Sequence, residues 1–317
     1  MISKEKFLDD IKYKIIPEIK KIEPKYKRFY RIVVKIIPTL SVVAFFFSLY
    51  QTIIHTNMRD PYAPIYLFGA FFSLAVLNIF CLVKFSEWTD KCIEKFKPNI
   101  FSLLDVKLQQ EDETAIRDLI KLGLFPLSRC RHIDESFIVY GTKYPTSVQE
   151  IVLERRSGKH TRTVFCGPVI TFHQPFLPDV PILILDKKIK TNRLKLELTT
   201  SFCSKVEKRD LNWKEIKLND KKVSQNYAVF SASNGDVQRI LSPDFFKQIQ
   251  KIKDIYGAPA NVLFYQKKII VAIHIRRDMF SAFNYENFSD LKVYSSFYDD
   301  IKAIHTLEKT ICDKIVF

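Results

Sequence analysis

Two stretches, IIPTLSVVAFFFSLYQTII at residues 36–54 and YAPIYLFGAFFSLAVLNIFCLV at residues 62–83, contain no Asp, Glu, Lys or Arg. At 1.5 Å rise per residue they reach about 28 and about 33 Å as helices, against a hydrocarbon core of about 30 Å. The short link between them, His55 to Pro61, is polar and carries Arg59 and Asp60. The expectation is a two-helix transmembrane hairpin, with spans 36–54 and 62–83. Gly69 and Ser73 form a small face, and with Asn78 they suit helix–helix contact. No ionisable group sits mid-span, where transport or proton relay needs one, so the hairpin reads as an anchor.

The flanks give an orientation. Residues 1–35 hold nine Lys and two Arg against five acids, a net +6, and Lys84, Lys91, Lys95 and Lys97 follow the second stretch. Basic flanks resist translocation, so both termini are expected in the cytoplasm and the link outside. A cleaved signal peptide fits poorly: the charged leader is too long and no small-x-small site closes the apolar run.

The whole chain of 317 residues carries a net charge of +15. For a tethered domain, the simplest partner of that excess is anionic lipid headgroups beside the bilayer itself. Nucleic acid ranks below lipid, and an unidentified protein partner stays open. Six cysteines, Cys81, Cys92, Cys130, Cys166, Cys203 and Cys312, are scattered without a CxxC pair, so neither zinc nor disulfides are expected. With seven glycines, the chain has no P-loop or dinucleotide fingerprint. No cofactor is expected.

Outward from the hairpin, the domains divide as a basic leader 1–35, the hairpin 36–83, a helical connector 84–125 and a cytoplasmic α+β domain 126–317. The leader places Phe7, Leu8, Ile11, Ile15, Ile19 and Ile22 on one helical stripe. It should lie on lipid or pack on the soluble domain, and Pro17 should kink it. The connector contains a helix at Glu113–Lys121, closed by Gly123.

Strands are expected at Ser136–Lys143, Ser147–Arg155, Arg162–Gln174, Ile182–Lys187, Arg193–Thr200, Tyr227–Ser231, Asn261–Tyr265 and Ile269–Ile275. Ser157 to His160 reads as a hairpin turn, and Gln266 to Lys268 as a tight junction. Ser242-Pro243-Asp244 is a helix start that runs to Gly257. A last helix covers roughly Phe288 to Ile315. The fold class is therefore α+β: an N-terminal two-helix transmembrane hairpin, then a mainly antiparallel sheet with C-terminal helices.

The run YAVFSASNGDVQRILSP, Tyr227 to Pro243, resembles a bacterial membrane family designated domain of unknown function 3137. Thr163-Val-Phe165-Cys-Gly167 is similar to that family's Phe-x-Gly strand. Ile269 to Ile273, with Asp278-Met-Phe280, is similar to its later strand and aromatic. The resemblance implies a bacterial inner-membrane protein whose cytoplasmic domain has no assigned activity. Arg239, Ser242 and Pro243 are signature positions, and no catalytic residue is carried over.

Candidate chemistry is sparse. Cys130-Arg131-His132-Ile133-Asp134-Glu135 gathers a thiol, an imidazole and carboxylates, but neighbours on a turn seldom make a nucleophile–base contact. Cys166 and His173 sit seven apart in one strand, and His160 is the only further ligand nearby. Glu150 and Glu154 share a strand face and read as a solvated rim rather than a catalytic dyad. Arg155-Arg156, Lys187-Lys188 with Lys190, Lys221-Lys222, Lys267-Lys268 and Arg276-Arg277 fall at strand ends; converging, they would form a phosphate-binding face. No catalytic, cofactor or metal residue is assigned. The expected role is a non-enzymatic, membrane-tethered binding or scaffold module. The alternatives are a membrane-bound hydrolase with an unrecognised site and a nucleic-acid-binding basic domain.

Overall fold

The computed structural model describes residues 1–21, 28, 31–56, 72, 75–76, 78–80, 83, 87, 91, 94–125, 128–140, 145–157, 159–175, 181–187, 213–218, 220–232, 237, 241–275, 279–280 and 290–312. They fall into two compact units. One comprises residues 1–7, 101–282 and 292–317, the other residues 8–100 and 283–291.

The first unit is built on an antiparallel sheet with nine strands among the described residues. These are β1 (Val106–Leu108), β2 (Arg129–Val139), β3 (Thr146–Ser157), β4 (His160–His173), β5 (Ile182–Asp186), β6 (Lys214–Glu215), β7 (Tyr227–Ser231), β8 (Ala260–Tyr265) and β9 (Lys268–Ile273). Their spatial order is β1-β2-β3-β4-β9-β8-β5-β7-β6. β2, β3 and β4 form a meander of long hairpins with the short β1 on its outer edge, and β5 is inserted between β8 and β7. The antiparallel α+β expectation holds.

β2 begins seven residues before the expected Ser136. The polar run from Cys130 to Glu135 is strand and not turn, held to β3 through two bulges. The expected strand Arg193–Thr200 lies outside the described residues. The pairs Ser157↔His160 and Tyr265↔Lys268 close the two expected hairpins.

β5 and β7 are buried at every position. An antiparallel sheet often leaves one face wet, but here helices cover both. On one face Leu183, Leu185, Ala228, Phe230, Leu263, Ile270 and Ala272 cluster with Ile116, Leu119 and Ile120 of α3 (Glu113–Lys121). On the other, Phe245 and Phe246 of α5 (Pro243–Tyr256) set their rings 5.5 Å from those of Phe264 and Tyr227. Both helices are capped by side chains, Ser242 as expected and Asp112 in addition. Asp112 accepts from the Ala115 amide at 3.0 Å and Ser242 from the Phe245 amide at 3.3 Å. Gly257 ends α5 in the left-handed region, at φ 61°, where only glycine is free of a Cβ penalty. Between them in sequence, α4 is a short helix, Lys221–Asn226.

The last helix, α6 (Leu291–Cys312), buries Tyr294, Phe297, Ile301, Ile304 and Leu307 along one stripe. Its Phe297 ring lies 4.9 Å from Phe101, which meets Phe137 edge-on at 5.5 Å. The start of the chain joins this cluster. Phe7 of α1 (Lys4–Asp10) is fully buried, its ring 5.6 Å from that of Tyr298, whose hydroxyl donates to the Ile2 carbonyl at 2.8 Å. Up to Phe7, the leader packs on the α+β domain.

In the second unit the leader stripe continues through buried Ile11, Ile15 and Ile19. A π-helical turn, Ile11–Ile15, stands just before Pro17. Another, Arg31–Ile36, stands just before Pro38. Proline supplies no N–H and its ring crowds the carbonyl four residues back. A locally widened ladder relieves that crowding, as where the Ile16 amide donates to the Ile11 carbonyl.

Helix α2, Ile37–Thr56, covers the first uncharged stretch. Among the described residues no helix is long and apolar enough to cross a membrane, so the expected transmembrane hairpin is not found there. Most of the second stretch, including Gly69 and Ser73, lies outside the described residues.

Candidate functional site

Strand β3 supplies the most enclosed carboxylate among the described residues. Glu150 is 1 % exposed, and its two carboxylate oxygens accept from the Met279 amide at 2.7 Å and the Phe280 amide at 3.1 Å. The segment after β9 is thereby tied to β3. Glu135 stands directly opposite Glu150 in the β2–β3 register and is also buried. Glu154 is nearly as buried and takes the Arg131 guanidinium at 3.0 Å, with Arg129 at 3.9 Å. The solvated-rim expectation for Glu150 and Glu154 is therefore corrected. Backbone donors and guanidinium groups compensate these carboxylates, and alternation alone could not show the segments that cover them.

The thiol and imidazole candidates do not assemble a nucleophile. Burial, with Glu113 beside it, pushes the Cys130 thiol above its ordinary range, opposite to what an attacking thiolate needs. His132 pairs with Asp134 at 2.9 Å, and Cys130 donates to the His132 carbonyl at 3.6 Å. Cys166 and His173 occupy β4 as expected, about 23 Å apart along the strand. The Cys166 amide donates to Nδ1 of His274 at 3.4 Å. His173 is shifted down by burial and by Lys268. Among the described residues no group of three or more His, Cys, Asp or Glu is placed to hold a metal ion.

A pocket of about 310 Å³ opens where α5 begins. Val223, Val237, Leu241, Pro243 and Phe246 give it an apolar wall, and Lys217 and Asp220 add charge. Asp220 caps α4 by accepting from the Val223 amide at 3.2 Å. Leu241 and Pro243 belong to the Ile-Leu-Ser-Pro run read from the sequence. That run therefore both starts a helix and lines a pocket, the second role being invisible in the string. Its chemistry suits an apolar group with a polar end. Arg239 lies outside the described residues.

The basic clusters meet different fates. Lys187 is engaged, donating to the Ser224 carbonyl at 3.2 Å and lying 3.7 Å from Glu215. Lys188, Lys190, Arg276 and Arg277 lie outside the described residues, whereas Lys267 sits in the β8–β9 turn at φ 57°. At the β3–β4 tip, Arg155 stands directly opposite Arg162, and Ser157 opposite His160. The Arg155–Arg162 opposition was missed in reading the sequence, although counting outward from the Ser157–His160 turn gives it.

The architecture defines a class: an antiparallel α+β domain covered by helices on both faces, with an acid-anchored segment and an apolar pocket. Residues 163–311 match the family described as "Protein of unknown function (DUF3137)", and this segment belongs to that family. The resemblance read from the sequence thus holds over that range. No curated protein and no solved structure matches the chain.

Proposed function

We propose that this protein is a membrane-tethered binding module: its two uncharged stretches anchor it as a hairpin, both termini face the cytoplasm, and the α+β domain recruits a partner rather than turning over a substrate. One observation carries the reading. The Asn78 side-chain amide, in the second stretch, donates to the Ser41 hydroxyl, in the first, at 2.7 Å. Around that contact Leu40, Val43, Phe46, Phe47, Tyr50, Phe72, Ile79 and Phe80 are exposed. Polar groups satisfied between helices, with large apolar side chains outward, is the arrangement hydrocarbon favours and water penalises. Binding in place of catalysis is favoured by the burial that pushes the Cys130 thiol upward and by the backbone amides that occupy both oxygens of Glu150. Confinement to a thin layer beside the bilayer raises local concentration, so a weak contact suffices.

The test is alkaline extraction of membranes from bacterial cells expressing the full chain, followed by protease treatment of intact cells and of inverted vesicles. The chain is expected in the pellet, with its C-terminal half cut only in inverted vesicles. Recovery in the supernatant, or cleavage of that half from outside intact cells, overturns the proposal.

A further inference from the structure

Two guanidinium groups directly opposed on neighbouring strands repel each other, and Arg155 and Arg162 are so placed on the β3–β4 hairpin. Strand alternation puts His160 on the same face of the tip as that pair. The nearest acid in β3, Glu154, alternates to the other face and is held by Arg131 and Arg129. Among the described residues neither Arg155 nor Arg162 has a carboxylate partner, and Arg162, His160 and Lys159 are exposed. Opposed α-carbons in an antiparallel pair stand about 5 Å apart, so both planar forks can reach one tetrahedral anion.

We infer that the β3–β4 tip is a phosphate-binding element built on Arg155 and Arg162, with His160 as a further donor, and that its ligand is the phosphate headgroup of anionic phospholipid. A bound phosphate turns the repulsion across the pair into two charge-assisted contacts. The choice of lipid over other phosphates rests on the membrane-tethered reading above. A basic tip beside an anionic leaflet gains with each added cation, provided that it comes within a Debye length of the surface.

The test is hydrogen exchange of the peptide covering residues 153–165, in the full chain held in nonionic detergent. Mixed micelles containing phosphatidylglycerol are expected to protect this peptide and phosphatidylcholine micelles are not, with protection lost as salt rises. The double variant Arg155→Gln with Arg162→Gln should weaken the apparent affinity about thirtyfold. Its melting temperature should be unchanged or higher, because a repulsive pair has been removed.

No protection by anionic micelles overturns the inference, as does equal protection by inorganic phosphate at the same concentration. Protection by a single-stranded oligonucleotide but not by micelles overturns it in favour of nucleic acid. A fall in melting temperature would make the arginines structural and also overturn it. The assay does not depend on anchoring. A chain that pellets after alkaline extraction yet shows no protection defeats this inference alone.

Discussion

The backbone of Gly167 in β4 lies against the carbonyl of Ile273 at the end of β9, so close that any side chain at residue 167 would overlap that oxygen. The Ile275 amide donates to the neighbouring Cys166 carbonyl at 2.9 Å, drawing the two segments together. With φ at 141°, residue 167 also occupies backbone space that side chains avoid. Gly167→Ala is therefore expected to cost about 3 kcal/mol. Denaturant unfolding checks this, and an unchanged midpoint would contradict the close approach.

Glu150→Gln replaces an acceptor-only carboxylate by an amide whose NH₂ must face the amide of Met279 or Phe280. One buried donor is then left unpaired, at a cost of about 2 kcal/mol. Hydrogen exchange at Met279 and Phe280 should rise in this variant. Exchange that stays slow would show that another acceptor holds the segment.

Gln266 and Lys267, at φ 48° and 57°, form the two-residue turn between β8 and β9 without glycine. The left-handed conformation costs a residue with a Cβ about 1 kcal/mol. Lys267→Gly should raise stability by about that amount, read as a higher melting temperature. A drop would mean that the lysine side chain contributes elsewhere.

His305 in α6 is shifted down by burial, by the N-terminal ammonium and by Lys309, with Asp105 opposing. A histidine with a depressed folded pKa takes up its proton more readily when unfolded. Its contribution is full above the ordinary value of 6.5 and is lost as pH falls through the lower folded value. Stability should therefore decline on acidification below about pH 6.5, and His305→Phe should flatten that slope. An identical slope in the variant would place the titration elsewhere.

Elements whose signals are local were legible in the sequence. The start of α5 needed only Ser242, Pro243 and Asp244, since a cap, a fixed φ and a dipole-favoured acid act within one turn. β5 and β7 were legible as unbroken apolar runs. β1 and β6 were not, because three- and two-residue strands hold their place through their partners. β2 was cut short for a related reason. The polar run Cys130–Glu135 lacks alternation, and only pairing with β3 through two bulges makes it strand. The site shows the same division: Pro243 was singled out, with Leu241 in the same run, but their shared pocket with Val223 and Val237 required the chain to fold back.

By itself the sequence determined the features that periodicity, charge and chain stiffness dictate. Those are the uncharged stretches, the basic ends, the capped helices, the hairpin turns and the family resemblance of residues 163–311. Tertiary structure alone decided the strand order, the covering of both sheet faces and the fate of each buried charge. The reason is distance along the chain. Glu150 and Met279 are 129 residues apart, and no local preference of either residue encodes that a carboxylate will find those particular amides.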